Sequence, residues 1–325
     1  MLAGLALAAL VNADALVQRA EEKPLGPGRD RSLTIWHPVQ DLAHVSQLHR
    51  LRSLGDALVG NEERGGTGEV IADAPPPPPA EEEVPAPALR APTVEEPLRV
   101  YIGGDSIVRD AGDAFLQLAA GSPILDPTLH YENATGLTRP DAYDWPAALV
   151  DDMATHRPDV AIILFGGNDS QGIQTPTGEV FQTVSEPGWQ AEYARRVGGV
   201  MDLLRADGRV VLWVGLPPMR EAGFDGRVDI LNGIYAGEAE RRPWVTYVDT
   251  FPLFGDADGD YVAQGPGPDG SPVDLRQDDG IHLSSPGATV LARALLDRID
   301  AELRAAEEAR GAGTTTSSGP PPPTG

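Results

Sequence analysis

Leu98-Arg99-Val100-Tyr101-Ile102-Gly103-Gly104-Asp105-Ser106-Ile107 decides how this chain folds. Leu98 to Ile102 is short, rich in β-formers and bounded by glycines, the pattern of a strand buried inside a parallel sheet. The Gly103-Gly104 pair lets the backbone turn sharply. Asp105 or Ser106 can then cap a helix running from Ile107 through Phe115 and Leu118. In an open α/β sheet, ligands bind just past the carboxyl ends of the strands, so Ser106 is delivered to a place where a ligand would meet it.

The same alternation continues toward the C-terminus. Ile124 to Tyr131 reads as a strand leading to Asn133-Ala134-Thr135-Gly136, and Trp145 to His156 as a helix ending before Arg157-Pro158. Val160 to Phe165 reads as a third strand; Tyr193, Val197, Val200, Met201 and Leu204 mark a helix; Val210 to Gly215 and Val245 to Val248 complete the strands. Strands separated by helices of this length imply right-handed βαβ units, hence a parallel sheet with helices on both faces. A final helix is expected to start with Ser285 as N-cap and Pro286 at N1, with Val290, Leu291, Leu295 and Ile299 on its apolar side.

Two further stretches bear on chemistry. Asp159 to Gly167 (DVAIILFGG) is an apolar strand that ends in a Gly-Gly turn followed by Asn168 and Asp169, and Asp279-Gly280-Ile281-His282-Leu283 lies near the end of the foldable region. A serine, an Asn after a glycine turn and an Asp-x-x-His, each at a strand or loop end, are the parts needed for acyl transfer. On these residues the chain resembles the SGNH, or GDSL-type, serine hydrolases. Gly104-Asp105-Ser106-Ile107, Gly166-Gly167-Asn168-Asp169 and Asp279-Gly280-Ile281-His282 match their blocks I, III and V, and Ala134-Thr135-Gly136 is the best candidate for block II. The match covers about residues 97 to 305, with Ile107 where the family name has leucine.

The resemblance implies a three-layer α/β/α flavodoxin-like fold around a mostly parallel five-stranded sheet. It implies Ser106 as nucleophile, His282 as its base and Asp279 as the group that orients the imidazole, with Asp278 a less well spaced competitor for that last role. It also implies an oxyanion hole made by the backbone N–H groups of Ser106 and Gly136 and the side-chain amide of Asn168. No cofactor and no metal are expected. The activity expected is ester hydrolysis through an acyl-serine, with a small acyl group such as acetyl on an envelope carbohydrate as substrate. An acyltransferase, or a glycan-binding or scaffold domain without turnover, are the alternatives. His130 and His156 read as structural. Arg139 and Arg220, which follow strand ends, are expected to hold an anionic or hydroxylated substrate, and the segments at 217–226 and 255–278 to form a lid or rim.

The remaining composition sets the context. A net charge of −24 over 325 residues argues against nucleic acid as a partner, because phosphate binding needs clustered Lys and Arg. The absence of cysteine excludes disulfides, thiolate metal sites and a cysteine nucleophile. Residues 1–31, apolar until Asn12 and Asp14, are expected to be a membrane anchor or signal remnant, which would place the protein outside the cytoplasm at the cell envelope. Residues 32–60 are expected to form an amphipathic helix with Pro38 near its first turn, and the Pro/Glu-rich residues 61–96 an extended disordered linker. The hydrolase domain is expected at 97–309 and a disordered tail at 310–325. Asp256-Ala257-Asp258-Gly259-Asp260 lacks the sixth-position glycine and closing glutamate of an EF-hand loop and reads as an acidic insertion.

Overall fold

Leu98–Gly104 forms β1, and all but one of its residues are buried. A computed structural model describes residues 88–315, a helix at 27–46 and isolated positions at 9–20, 68 and 71. In chain order the elements are α1 (Pro27–Ser46), β1, α2 (Ser106–Ala119), β2 (Leu125–Tyr131), α3 (Trp145–His156), β3 (Val160–Leu164), β4 (Ile173–Gln174), β5 (Val180–Phe181), α4 (Pro187–Leu203), β6 (Val210–Val214), α5 (Ala222–Ala239), β7 (Val245–Val248), α6 (Phe251–Phe254), β8 (Gln264–Pro266), β9 (Pro272–Asp274) and α7 (Ser285–Thr315).

Five strands form the central sheet in the order β2-β1-β3-β6-β7, and every neighbouring pair is parallel. Leu98 pairs with Leu125 on one side and Val100 with Val160 on the other. β3 and β6 are buried at every position, as strands covered on both faces must be. Helices α2 and α7 pack together as one layer, and α3, α4 and α5 form the other. This is the three-layer flavodoxin-like architecture. The strand order reverses between β1 and β3, so the crevice at their carboxyl ends is the place where such sheets bind ligands. Beneath it runs an aromatic seam: Trp145 against Phe165 (ring centroids 5.0 Å apart), Phe165 against Trp213 (6.1 Å), Trp213 against Tyr235 (5.5 Å) and Tyr235 against Tyr193 (6.1 Å). Full burial of each such side chain contributes about 1.5–3 kcal/mol.

Several expectations are corrected. The last helix is capped by Ser284, whose Oγ accepts from the Gly287 N–H at 3.0 Å, and Ser285 is its first residue. That helix runs to Thr315, so the first residues of the expected tail at 310–325 are helical; 316–325 lie outside the described residues. The stretch at 217–226 is only partly loop, because α5 begins at Ala222 with the Glu221 carboxylate capping Gly223 and Phe224. The helix expected over 32–60 begins earlier, at Pro27, with Pro38 in its interior; Ile35 and Leu42 on it are exposed, and 47–60 lie outside the described residues.

The linker at 61–96 is docked at several of its described residues, while others, Val94 among them, are exposed. The Gly68 N–H donates to Asp144 at 2.8 Å, Ile71 is buried against Gly199, Leu89 is buried, and Arg90 pairs with Asp159 at 2.8 Å. Ile71 and Leu89 are the apolar side chains buried against the domain. Among the described residues no helix is long and apolar enough to cross a membrane.

Candidate active site

The turn after β1 exists because Gly104 does. Its φ is +153°, and a Cβ there would lie 1.9 Å from the Leu164 carbonyl oxygen, so no other residue lets β1 and β3 approach this closely before the chain turns into α2. Asp105 is the N-cap of α2: its Oδ1 accepts from the Ile107 N–H at 2.9 Å. Its Oδ2 accepts from the N–H groups of Gly166 and Gly167 at 3.0 and 2.8 Å. One fully buried carboxylate thus ties the Ser106 turn to the turn that carries Asn168. Burial pushes the Asp105 carboxyl up to about 7; the Ile107 N–H opposes the rise, the neighbouring Asp169 carboxylate adds to it, and the glycine N–H groups oppose it.

The Asp279-x-x-His282 stretch folds back on itself as a tight turn. Asp279 Oδ1 accepts from the N–H groups of Ile281 (2.8 Å) and His282 (3.0 Å), and its Oδ2 lies 2.6 Å from His282 Nδ1. Burial alone would raise the Asp279 carboxyl, but the His282 ring and the backbone N–H groups hold it below the ordinary carboxylate range. The opposite ring nitrogen, Nε2, lies 2.9 Å from Ser106 Oγ. Ser106, His282 and Asp279 therefore form one hydrogen-bonded line between residues 176 positions apart and residues 3 apart. Such a line is what converts a serine hydroxyl into a nucleophile.

The loop after β2 brings in Gly136. Asn168 Nδ2 donates to the Thr135 carbonyl at 3.1 Å, which fixes the amide plane beside Gly136 and leaves its second N–H uncommitted among the described residues. Buried Asp169 holds that loop from below, accepting from the Thr138 N–H at 2.8 Å, the Thr138 hydroxyl at 3.0 Å and the Tyr193 hydroxyl at 2.7 Å. Burial raises the Asp169 carboxyl despite these donors. A Cβ on Gly136 would meet Asp169 Oδ1 at 2.3 Å, so the glycine is required by the carboxylate that braces it. Arg196 grips the same loop through the carbonyls of Leu137 (2.8 Å) and Thr138 (3.0 Å).

The two arginines expected at the substrate both make contacts within the protein. Arg139 is buried, and its guanidinium is clasped by the Asp141 carboxylate at 2.7 and 2.6 Å. Arg220 is exposed but lies along the Asp279 turn, donating to the Asp278 carbonyl at 2.6 Å. The residues that sequence reasoning passed over are Asp169, Arg196 and Arg276. Only Asp169 left a signal, its position directly after Asn168. Among the described residues there is no cluster of ligating side chains able to hold a metal, and the acidic loop closes on itself, with Asp256 Oδ1 accepting from the Asp258 and Asp260 N–H groups.

No curated protein matches the chain by sequence. Among solved structures it is similar to an acetyl xylan esterase variant from Geobacillus stearothermophilus (17% identity, 62% of this chain and 94% of that one, TM-score 0.44). It is similar also to an alpha/beta hydrolase enzyme from the metagenome of Lake Arreo, Spain (17% identity, 62% and 94%, TM-score 0.42). A third is the C-terminal catalytic domain of peptidoglycan O-acetyltransferase A from Streptococcus pneumoniae (13% identity, 65% and 96%, TM-score 0.36). A family model, described as "Protein of unknown function (DUF459)", matches residues 99–298, which include every residue of the site and all of the sheet but Leu98, and the chain belongs to that family.

Proposed function

We propose that this protein is an SGNH-type serine hydrolase acting on carboxylic esters. The observation that carries the reading is the Ser106–His282–Asp279 line, at 2.9 and 2.6 Å. With its Nδ1–H donated to the Asp279 carboxylate, His282 presents Nε2 as an acceptor to the Ser106 hydroxyl. As Ser106 Oγ attacks an ester carbonyl, its proton passes to Nε2, and the imidazolium is stabilised by Asp279. The carbonyl oxygen becomes an oxyanion in the space next to the Ser106 and Gly136 N–H groups and the Asn168 amide; each such donor contributes about 2.7–4 kcal/mol to the transition state. His282 then protonates the leaving alcohol. Water, activated by the same histidine, attacks the acyl-serine and releases the acid.

The substrate proposed is a small acyl group, acetyl being the simplest, on a carbohydrate of the cell envelope, with the protein exported or tethered through its N-terminus. The lack of a wide aliphatic stripe in the sequence supports a small acyl group over a long aliphatic one. The test is release of p-nitrophenol from acetate through octanoate esters by the full chain, with Ser106→Ala alongside. Turnover of the short esters that vanishes in the variant supports the reading. Turnover that survives in Ser106→Ala overturns the serine mechanism. A folded protein that turns over no ester, yet is labelled at Ser106 by a fluorophosphonate, points to transfer onto an acceptor other than water. Absence of both activities points to a binding domain.

A further inference from the structure

The turn bearing Asp279 and His282 has little regular structure of its own, yet it must hold two side chains to within a few tenths of an ångström. Its frame is a single antiparallel bridge between Arg276 and Leu283, closed by the Gln277 N–H on the His282 carbonyl at 2.9 Å. Three carbonyls along the turn face two guanidinium groups. Arg276, only 6% exposed, donates through Nη2 to the Ile281 carbonyl at 2.9 Å and, at longer range, to the Gly280 carbonyl at 3.4 Å. Met219 Sδ lies 3.3 Å from the same nitrogen, and the Tyr261 ring lies against the guanidinium at 5.4 Å. Arg220 donates through Nη2 to the Asp278 carbonyl at 2.6 Å, and its backbone N–H donates to the Gly280 carbonyl at 3.3 Å. Gly280, at φ +72°, turns its Cα onto the Arg220 side chain so closely that a Cβ would lie 2.6 Å from Arg220 Cβ.

We infer that Arg276 and Arg220 form a two-point clamp on the Asp279–His282 turn, as positioning residues that hold the imidazole on line with Ser106, and that Arg220 is not a substrate-binding residue. The inference rests on the serine hydrolase reading of this site. The gripped carbonyls are informative. Asp278 O belongs to the peptide unit entering Asp279, and Ile281 O to the unit entering His282, so the clamp fixes the backbone at the two points that aim the carboxylate and the ring.

The cost of the arrangement argues the same way. Arg276 Nε and Nη1 are buried without a partner among the described residues, which is expensive for a cation. An apolar side chain would fill the same space at lower cost, so packing alone does not account for a guanidinium there. Arg139 shows the contrast: a carboxylate is bound by its guanidinium at 2.7 and 2.6 Å.

The test compares wild type with Arg220→Ala, Arg276→Met and Arg276→Lys in the full chain, using kcat and KM on p-nitrophenyl acetate. It adds ¹⁵N spectra of the histidine rings, with the His282 signal assigned by His282→Gln. A shift of about 1 Å at a reacting group costs about a hundredfold, so the clamp predicts kcat falling by about ten- to a hundredfold in Arg220→Ala and Arg276→Met with KM within about twofold. Arg276→Lys, which can still reach one carbonyl, is expected between wild type and Arg276→Met. In the variants the His282 Nδ1–H signal should move or broaden, because the hydrogen bond to Asp279 loosens.

A rise in KM at unchanged kcat in Arg220→Ala would return that residue to the substrate and overturn the clamp. So would an unchanged His282 spectrum with unchanged kcat. Should Arg276→Met fail to fold, exposed Arg220 and the conservative lysine variant decide the matter. The ring spectra need no turnover: a wild type that hydrolyses nothing refutes the hydrolase reading, whereas the clamp stands or falls on whether His282 moves.

Discussion

On the proposed serine hydrolase mechanism, replacing Asp279 with Asn should abolish catalysis without unfolding the site. Asp279 uses one oxygen for two backbone N–H groups, at 2.8 and 3.0 Å, and the other for His282 Nδ1, at 2.6 Å. Asparagine has only one acceptor oxygen. Two fixed backbone donors outcompete one ring donor for it, so the amide NH2 turns toward Nδ1. Nδ1 must then become an acceptor, and the ring proton moves to Nε2, where it points at Ser106 Oγ 2.9 Å away. Ser106 Oγ then accepts from the ring, no acceptor is left for the serine proton, and the base is gone. Holding the wrong tautomer in an otherwise intact triad lowers turnover by about 10⁴, or about 5.5 kcal/mol of transition-state stabilisation.

Stability should change by no more than about 1 kcal/mol, because both backbone bonds survive at a partly exposed site. Asp279→Ala makes the complementary case: it forces neither tautomer but loses both backbone bonds, so it should keep more activity than Asp279→Asn and lose more stability. The assay is p-nitrophenyl acetate hydrolysis beside urea unfolding of the same preparations. An Asp279→Asn enzyme within tenfold of wild type, or one faster than Asp279→Ala, would refute the tautomer argument.

Three other perturbations follow from the geometry. Gly136→Ala places a Cβ 2.3 Å from Asp169 Oδ1, so the loop must shift; thermal unfolding should show a loss of about 1–3 kcal/mol and kcat should fall by about 10²–10³ as one oxyanion donor leaves its place. Burial raises Asp105 from 3.8 to about 7, so the native state holds this proton more tightly than the unfolded chain. Its contribution to stability is therefore greatest below about pH 4 and declines by about 4 kcal/mol as pH rises to 7; urea titrations at several pH values should show this slope in wild type and not in Asp105→Asn. His130 and Asp152, 2.6 Å apart, shift in opposite directions: the bond to Asp152 raises His130 against burial, while the bonds from His130 and Tyr101 outweigh burial to lower Asp152. The pair stabilises most between about pH 4 and 6.5, is lost as pH rises through the raised histidine value, and is lost again as pH falls through the lowered carboxylate value. His130→Gln should accordingly cost more stability at pH 5.5 than at pH 9, and an equal cost at both would exclude the ion pair.

The sheet was legible because parallel strands covered on both faces leave a plain trace. Val160–Leu164 and Val210–Val214 are unbroken apolar runs, and nothing but a buried strand fits so short a run between glycine turns and polar helix faces. Helix α5 left a poorer one: Gly226, Gly233 and Gly237 interrupt it, although Phe224, Val228, Leu231 and Tyr235 keep a helical spacing on its buried side. Ser284 and Ser285 are chemically equal candidates for the cap of α7. Only the register of the Arg276–Leu283 bridge, which sets where the chain enters the helix, chooses Ser284.

The site divides along the same line. Asp279 and His282 lie 3 residues apart, so their pairing is a property of a local turn and could be read from four letters of sequence. Ser106 and Asn168 sit at the ends of recognisable strands, so their arrival at one crevice follows from the alternation of strands and helices. What holds them there could not be read in this way. Asp105 on Gly166 and Gly167, Asp169 on Thr138, Arg196 on Leu137, and Arg220 on Asp278 join segments 31 to 62 residues apart. A charged side chain on a surface loop and one buried as a brace look identical in sequence. The difference between them is the company that folding brings, since desolvation and hydrogen-bond partners belong to the packed chain and not to the residue.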